Sequence, residues 1–355
     1  SIPGVTIENQ KINAIKINRT RIDTPAGARA MGKAEGQYVT IESETLKQHN
    51  RRALLEISEI IAQELEGLFG NLSENATILV VGLGNWQATP DALGPKVIDK
   101  LLVTRHLFGF APPELRHGLR PVAAISPGVL GTTGMETGET VKGIIDTMKP
   151  DIVICIDALA SRATSRLCTT IQISDTGIHP GSGIGNMRMG ITRATMGVPV
   201  LALGVPTVIH AVTLISDGME MVAKAGANGA KAKKPPKMPK ASTTSSILDP
   251  QKIRLNGRDG GTMEMAQEDF SPDSAADAKI AGLGGKRAAK GGKGIDDETK
   301  REVLQKLLQP YMGAMVVTPK EIDVLMADAA WVLAAGLNIA MHPGMDADEA
   351  AKYTV

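Results

Sequence analysis

The sequence predicts an α/β protein with a doubly wound, mostly parallel sheet flanked by helices. Two apolar runs carry this prediction, ILVV at 78–81 and IVICI at 152–156. Both are short, β-branched and uninterrupted, which is typical of strands buried on both faces of a sheet. Segments with helical spacing of apolar residues alternate with further strand-like segments along the chain, and this alternation favours parallel strands joined by crossover helices.

The elements follow from local patterns. Short alternating pieces, AIKIN at 14–18 and YVTI at 38–41, predict an antiparallel β element attached to the main sheet at the amino-terminal side. Amphipathic spacing predicts helices over residues 44–68 and 139–148. Further strands are predicted at 121–125, 170–174 and 198–204. A helix over 206–222 is predicted with Pro206 in its first turn.

The last third of the chain changes in composition. Residues 223–294 are rich in Lys, Ala, Pro and Gly, which predicts a flexible low-complexity insertion. Residues 1–222 and 295–355 are then expected to form a single α/β domain. A mostly apolar pattern after Thr318 and up to about Met341 predicts a buried helix in a carboxyl-terminal helical region.

Composition excludes several classes of function. The 355 residues are 43 % hydrophobic and 22 % charged, with a net charge of +1, so no overall field attracts nucleic acid or membrane. Aromatic residues make up only 3 %, which leaves few stacking platforms for nucleic acid. No signal peptide is visible, and no uninterrupted run of about 18 apolar residues predicts a transmembrane helix. We expect no membrane association and no direct nucleic-acid binding.

Two acids follow the two apolar runs. Asp91 comes after the turn Gly82–Leu83–Gly84–Asn85 and the helix-start signal Thr89–Pro90, and Asp157 comes directly after the run at 152–156. Each acid alone is typical of a cap on the following helix or turn. In an open α/β sheet, however, the carboxyl ends of the strands are where ligands bind. The two carboxylates could therefore converge on one site.

Three longer motifs carry a resemblance to a known family. VVGLGNWQATPDALGP, CIDALASR and ISDTGIHPGSGIGN, in this order, are similar to the germination (spore) protease family. The resemblance implies an endopeptidase that degrades small acid-soluble spore proteins when a spore germinates, with two essential aspartates that match Asp91 and Asp157. It also implies a zymogen, a homotetramer and a location in the cytoplasm of the spore core.

Other residues around these motifs are candidates for second roles. Asn85, Asp175 and His179 are expected to position substrate or support the acids. The turn at Gly82 also resembles the hydrogenase-maturation proteases, which implies the same type of fold and leaves open a metal-dependent endopeptidase with Asp91, Asp157 and His179 as ligands. Without HExxH a zincin is excluded, and we expect no cofactor.

Two further functions compete with the protease. The sheet and the turn at 82–85 would suit a nucleotide-handling enzyme, but Gln87 stands where the dinucleotide fingerprint requires its third glycine. The basic tract at 231–240 would suit a DNA-associated protein, but its composition is equally that of a solvated linker. Asp175–Thr176–Gly177 has the letters of a pepsin-like motif, but it occurs only once.

Overall fold

A computed structural model of the chain describes residues 2–181, 188–227 and 315–354, without the side chains of 222–227. Among the described residues, 2–181, 188–220 and 315–354 belong to one compact unit, and 221–227 belong to a second. The predicted insertion at 223–294 lies outside the described residues, except that 223–227 continue a helix. The predicted flexibility of this insertion stays a prediction.

One sheet organises the described part of the chain. Its strands lie in the order β1-β2-β3-β7-β8-β6-β4-β5, with β9 paired to β8. The strands are β1 (Val5–Ile12), β2 (Ile15–Ile22), β3 (Gly36–Glu42), β4 (Ile78–Gly82), β5 (Val122–Ile125), β6 (Ile152–Ser161), β7 (Thr170–Ser174), β8 (Val200–His210) and β9 (Val316–Val317).

The sheet has a parallel half and an antiparallel half. Strands β8, β6, β4 and β5 run parallel to one another. Strands β1, β2, β3 and β7 pair antiparallel, and β7 joins the parallel half by antiparallel pairing with β8. The α/β class and the amino-terminal antiparallel element are confirmed. Antiparallel pairing extends further than predicted because β7 pairs antiparallel with both β3 and β8.

Helices cover both faces of the sheet. The described helices are α1 (Pro25–Met31), α2 (Arg51–Phe69), α3 (Leu93–Ile98), α4 (Leu107–Phe110), α5 (Leu130–Thr133), α6 (Thr137–Met148), α7 (Arg193–Met196), α8 (Ala211–Ala227), α9 (Ile322–Met341) and α10 (Ala347–Tyr353). Helices α2, α3 and α9 build the larger core with Ile41 and Ile154 on one face. Helix α6 packs Val141 and Ile145 against Cys155 on the other.

Helix α9 is the central element of the carboxyl-terminal helical region. By length and composition alone it could cross a membrane, but 83 % of its apolar window is buried inside the structure. It packs closely on α2, where a Cβ on Gly336 would lie 2.9 Å from the Cβ of Ile61. These are the surroundings of a core helix, as the apolar pattern after Thr318 predicted.

Strand β8 differs from its prediction. It runs through Pro206 to His210, and helix α8 begins only at Ala211. The prediction of a helix from Pro206 is wrong because the strand contains a β-bulge next to this proline, a place where the missing N–H of proline is tolerated. The bulge also positions Thr207 next to Pro90, the residue before Asp91.

Candidate active site

Asp157 lies inside strand β6 and not at its end. Strand β6 continues to Ser161 because its last residues pair with β8, whereas the neighbouring strand β4 stops at Gly82, opposite Ile156. Asp157 is therefore the first residue of β6 beyond the end of β4. Its side chain lies on the face that carries Cys155, two residues earlier, and Asp157 is only 9 % exposed. The predicted position at a strand end is thus correct relative to β4, but wrong for β6 itself.

Three glycines fold the chain back over the end of β4. A Cβ on Gly82 would lie 2.4 Å from the carbonyl oxygen of Gly94, and one on Gly94 would lie 2.3 Å from that of Leu83. Gly84 has a φ of +115°, and a Cβ there would lie 1.9 Å from the carbonyl oxygen of Asp91. Backbone therefore packs directly on backbone, and only glycine allows Asp91 to approach the strand end this closely.

Asp91 does not cap the helix that follows it. Thr89–Asp91 form a single 3₁₀ turn, and Ala92 stands at the N-cap of α3 without a side-chain hydrogen bond. The Asp91 Oδ2 atom instead accepts a hydrogen bond of 2.7 Å from the backbone N–H of Asn85. The carboxylate is therefore turned back into the loop, which removes the capping interpretation left open by the sequence.

The two carboxylates are close enough to influence each other. The pKa of Asp157 is raised to about 7, mainly by burial and then by the charge of Asp91, while a hydrogen bond from the Ala158 N–H acts in the opposite direction. Burial also raises the pKa of Asp91, opposed by the Asn85 N–H. Each carboxylate accepts one backbone hydrogen bond: Asp91 from the Asn85 N–H, and Asp157 Oδ1 from the Ala158 N–H at 2.9 Å. Asp157 therefore holds a proton up to near-neutral pH.

Thr207 is a site residue that the sequence reasoning missed. Leu159 of β6 pairs with Pro206 and Ala160 pairs with Val208, so that Thr207 is the extra residue of the β-bulge in β8. Its side chain is 1 % exposed, and its Oγ1 donates a 2.6 Å hydrogen bond to the carbonyl oxygen of Pro90. A bulge re-aims a side chain, here at the residue directly before Asp91.

The bulge itself is held from its other side. The hydroxyl of Thr318 donates a 2.9 Å hydrogen bond to the carbonyl oxygen of Thr207. The sequence signal for this arrangement is Pro206 inside an otherwise strand-like run, a pattern that also predicts a helix start. A proline inside a strand pattern indicates a bulge as well as a strand end.

Asn85 and Asp175 contribute in different places. Asn85 donates through its backbone to Asp91, and its side-chain Oδ1 accepts from the N–H of Gln87 at 3.0 Å, which keeps the loop closed. Asp175 follows β7 and accepts a 2.7 Å hydrogen bond from the N–H of Gln37 at the start of β3. Because β7 runs antiparallel to β8, it carries Asp175 away from the sheet level of Asp157. A positional role next to the acids is thus supported for Asn85 alone.

His179 lies on the same face of the sheet as Asp157. The neighbouring Ile178 pairs with Ile191, which packs into the core with Cys155, and the His179 ring lies against Gly190. His179 itself is exposed. Within the described ranges, no group of three or more His, Cys, Asp or Glu side chains is arranged to hold a metal ion. The predicted ligand set of Asp91, Asp157 and His179 is therefore not assembled there.

The arrangement suits acid–base chemistry on a bound substrate. One carboxyl, Asp157, is buried and retains its proton, while Asp91 is less deeply buried and better placed to ionise. Two carboxyl groups with separated pKa values can act as a general base on water and a general acid on a reacting carbonyl or leaving group. This is the pair of roles that amide hydrolysis requires.

Comparison with known sequences finds relatives over nearly the whole chain. The family model described as germination protease matches residues 1–354. A germination protease of Halalkalibacterium halodurans is 40 % identical over 356 residues, covering 100 % of this chain and 90 % of the relative. One from Bacillus subtilis is 41 % identical over 354 residues, covering 99 % and 90 %. One from Clostridium acetobutylicum is 38 % identical over 352 residues, covering 99 % and 92 %.

Comparison with solved structures finds a more distant similarity. A NiFe hydrogenase maturation protease, HycI, from Thermococcus kodakarensis matches 41 % of this chain and 80 % of its own, with 19 % identity and a TM-score of 0.27.

Proposed function

The chain belongs to the germination protease family, and from this premise we propose that it hydrolyses peptide bonds with Asp91 and Asp157 as an atypical aspartic pair. The observation that supports the proposal is the raised pKa of Asp157, caused by burial and by the charge of Asp91. A buried acid beside a second acid is costly for the fold and is characteristic of catalytic sites. Separate pKa values allow the two carboxyls to take different roles.

In the proposed mechanism Asp91 is the general base and Asp157 the general acid. Ionised Asp91 takes a proton from a water molecule, and the resulting hydroxide attacks the carbonyl carbon of the scissile bond. Asp157 donates its proton to the carbonyl oxygen as the tetrahedral intermediate forms. Collapse of this gem-diol intermediate breaks the C–N bond as the proton on Asp91 passes to the leaving amine, and one hydroxyl group returns its proton to Asp157 as the C=O bond re-forms.

The substrate and the cellular location that we propose also rest on membership of the germination protease family. We infer that its substrates are small acid-soluble spore proteins and that it acts during spore germination in the spore cytoplasm. A zymogen form and a homotetramer belong to the same proposal. Purified small acid-soluble spore protein is accordingly the substrate for the tests below.

Substitution of each acid tests the pair. Asp91→Asn and Asp157→Asn should each lower kcat by about 10³-fold or more, since each removes a group needed in the transition state. Asp151→Asn is the matched control, because Asp151 precedes the same strand β6 and accepts a hydrogen bond of 2.7 Å from the Thr77 N–H. Near-normal turnover by a folded Asp157→Asn protein would overturn the proposal.

A metal-dependent endopeptidase is the competing mechanism, and chelation separates the two. After treatment with a strong chelator and confirmation of metal content by elemental analysis, the acid pair should retain full activity. Loss of activity that returns with one transition metal would favour Asp91, Asp157 and His179 as ligands instead. His179→Ala distinguishes them further, since it should lower the rate far less than loss of either acid if no metal is involved.

A further inference from the structure

A row of paired residues crosses the sheet at the level of Asp157. Five of them carry polar side chains, and the sixth, Gly204, is covered by the side chain of Leu159. Strand pairing connects one residue from each of six strands, and paired residues point to the same face. The row passes from the parallel half into the antiparallel half and ends at the free edge of the sheet. In order it consists of Asp157, Gly204, Gln172, Thr40, Asn18 and Asn9.

The far part of this row is open to solvent. Gln172, Thr40 and Asn18 are partly exposed and Asn9 is exposed, whereas Asp157 and Gly204 are buried. A shallow depression of the surface lies here, with Asn9, Asn18 and Thr40 in its lining. With strands about 4.8 Å apart, Asn9 lies about 24 Å from Asp157 along the row. An extended peptide of about seven residues covers that distance at about 3.3 Å per residue.

The charges around this open face are mostly positive. The charged side chains that β1, β2, β3 and β7 present on it are Lys11, Lys16 and Glu42. Glu42 is already paired with Arg166, at 3.2 Å. Among the described residues no carboxylate forms an ion pair with Lys11 or Lys16, although Glu42 is the cross-strand neighbour of Lys16.

Two loops add further positive charge beside the strands. Arg162 follows β6 and is exposed, and the ammonium group of Lys33 lies 4.5 Å from the ring centroid of Tyr38, which belongs to this face. The pKa of Lys33 is lowered by partial burial and then by the charges of Arg162 and Arg166, which places the three cations together. Since the whole chain has a net charge of only +1, this concentration of charge is local.

We propose that this face, called here the cationic face and defined by Lys11, Lys16, Lys33, Arg162 and Arg166, binds an extended acidic segment of the peptide substrate. Charge complementarity argues for an acidic occupant, and the alignment of this face with Asp157 along one row of paired residues argues for the same chain that is cut. The acidic residues lie about five to seven positions from the scissile bond. The inference rests on the proposed function, because it requires a peptide substrate at Asp157.

Charge reversal far from the acids tests the cationic face. The double variant Lys11→Glu, Lys16→Glu should raise KM for small acid-soluble spore protein about 10-fold and leave kcat within about 2-fold, since both side chains are exposed and distant from the chemistry. Raising the salt concentration from 50 to 500 mM should raise KM for the unaltered protein and much less for the variant. Arg52→Glu on α2, which covers the other face of the sheet, is the control and should change neither.

Substrate variants make the test specific. The fragments from the first digestion locate the cleavage site, and synthetic peptides around it carry Glu and Asp or their amides about five to seven positions away. Amide replacement should raise KM for the unaltered protein and have little further effect on the double variant. Equal KM values for acidic and amide peptides would overturn the proposal.

The outcomes also separate this inference from its premise. Cleavage that depends on Asp157 but shows no KM change in the double variant leaves the proposed function intact and removes the cationic face. Cleavage that survives in Asp157→Asn removes the proposed function. If the double variant alters the sedimentation coefficient and not KM, the face is a contact between copies of the chain, and the inference is wrong.

Discussion

Two groups of polar side chains lie at opposite ends of the parallel strands, and they differ in how many hydrogen bonds they form. At the carboxyl ends of the parallel strands, Asp91 and Asp157 each accept one backbone hydrogen bond. At the amino-terminal end, before β5, Arg120 forms a network with His342 and Asn338. Burial raises the pKa of Asp157 to about 7 and lowers that of His342 to about 4.

No buried side-chain N or O atom of Arg120, His342 or Asn338 lacks a hydrogen-bond partner. The Arg120 guanidinium donates to the carbonyls of Leu72, Ser73, Ala340 and Met341 over 3.0–3.4 Å. His342 accepts from the Arg120 N–H at 3.3 Å and donates to the Leu102 carbonyl at 3.2 Å. Asn338 accepts from the Leu102 N–H at 3.0 Å.

The difference separates a structural role from a functional one. Buried polar groups stabilise a fold when every donor and acceptor has a partner. The acid pair instead keeps carboxylate oxygens available at a cost in stability, as expected where a substrate will complete the bonding. The predictions below test whether the two groups behave in these opposite ways.

The largest expected effect is on stability, in the network. Arg120→Met should lower the free energy of unfolding by about 3–5 kcal/mol, because several buried carbonyls lose their donor. The measurement is urea unfolding at pH 7. Arg105→Met, at an exposed arginine nearby, is the control and should stay within about 0.5 kcal/mol. A loss below about 1 kcal/mol in Arg120→Met would contradict the structural role of the network.

Substitution in the acid pair should change the free energy of unfolding in the opposite direction from Arg120→Met. The pKa of Asp157 is higher in the folded protein than in the unfolded chain, so its contribution to stability is complete at low pH and is lost as pH rises through about 7. Asp157→Asn should therefore unfold with a free energy up to about 4 kcal/mol larger at pH 8.5, with no gain near pH 4, although it abolishes turnover. Equal gains at both pH values would refute ionisation as the cause.

His342 should control stability on the acidic side. Its pKa in the fold lies near 4, below the usual value, so the stability it provides is complete above about pH 6.5 and is lost as pH falls through 4. Over this window the unaltered protein should lose about 3 kcal/mol from this group. His342→Gln should flatten the pH dependence in thermal unfolding, and an unchanged slope would assign the acid sensitivity to other groups.

The smallest expected effect concerns the bulge. Thr207→Val keeps the shape of the side chain but removes the donor to Pro90, and should lower kcat about 10-fold and stability by about 1 kcal/mol. Thr207→Ser should restore kcat, because it restores the hydroxyl. If Asp91 is displaced, its charge acts less strongly on the pKa of Asp157. The alkaline limb of the pH–rate profile, which this general acid sets, should therefore also shift. A loss in stability with kcat and the profile unchanged would leave Thr207 a structural role only.

The sequence by itself determined the fold class and the location of the acids. Uninterrupted β-branched runs at 78–81 and 152–156 can be satisfied only by burial on both faces, so strands β4 and β6 were predictable. The glycines around Gly84 and the acids after each run are local features as well. Family resemblance, carried by motifs of up to 16 consecutive residues such as VVGLGNWQATPDALGP, needs no structure.

Only the tertiary structure decided register, orientation and charge environment. Asp157 lies beyond β4 but within β6 because strand lengths depend on partners far away in sequence. Thr207 reaches Pro90 through a bulge, and bulges arise from pairing between strands, which a single strand's sequence does not encode. The polar row to Asn9 and the raised pKa of Asp157 depend likewise on which residues the sheet brings side by side. Local patterns specify elements, whereas the free energy of a buried charge depends on all neighbours at once.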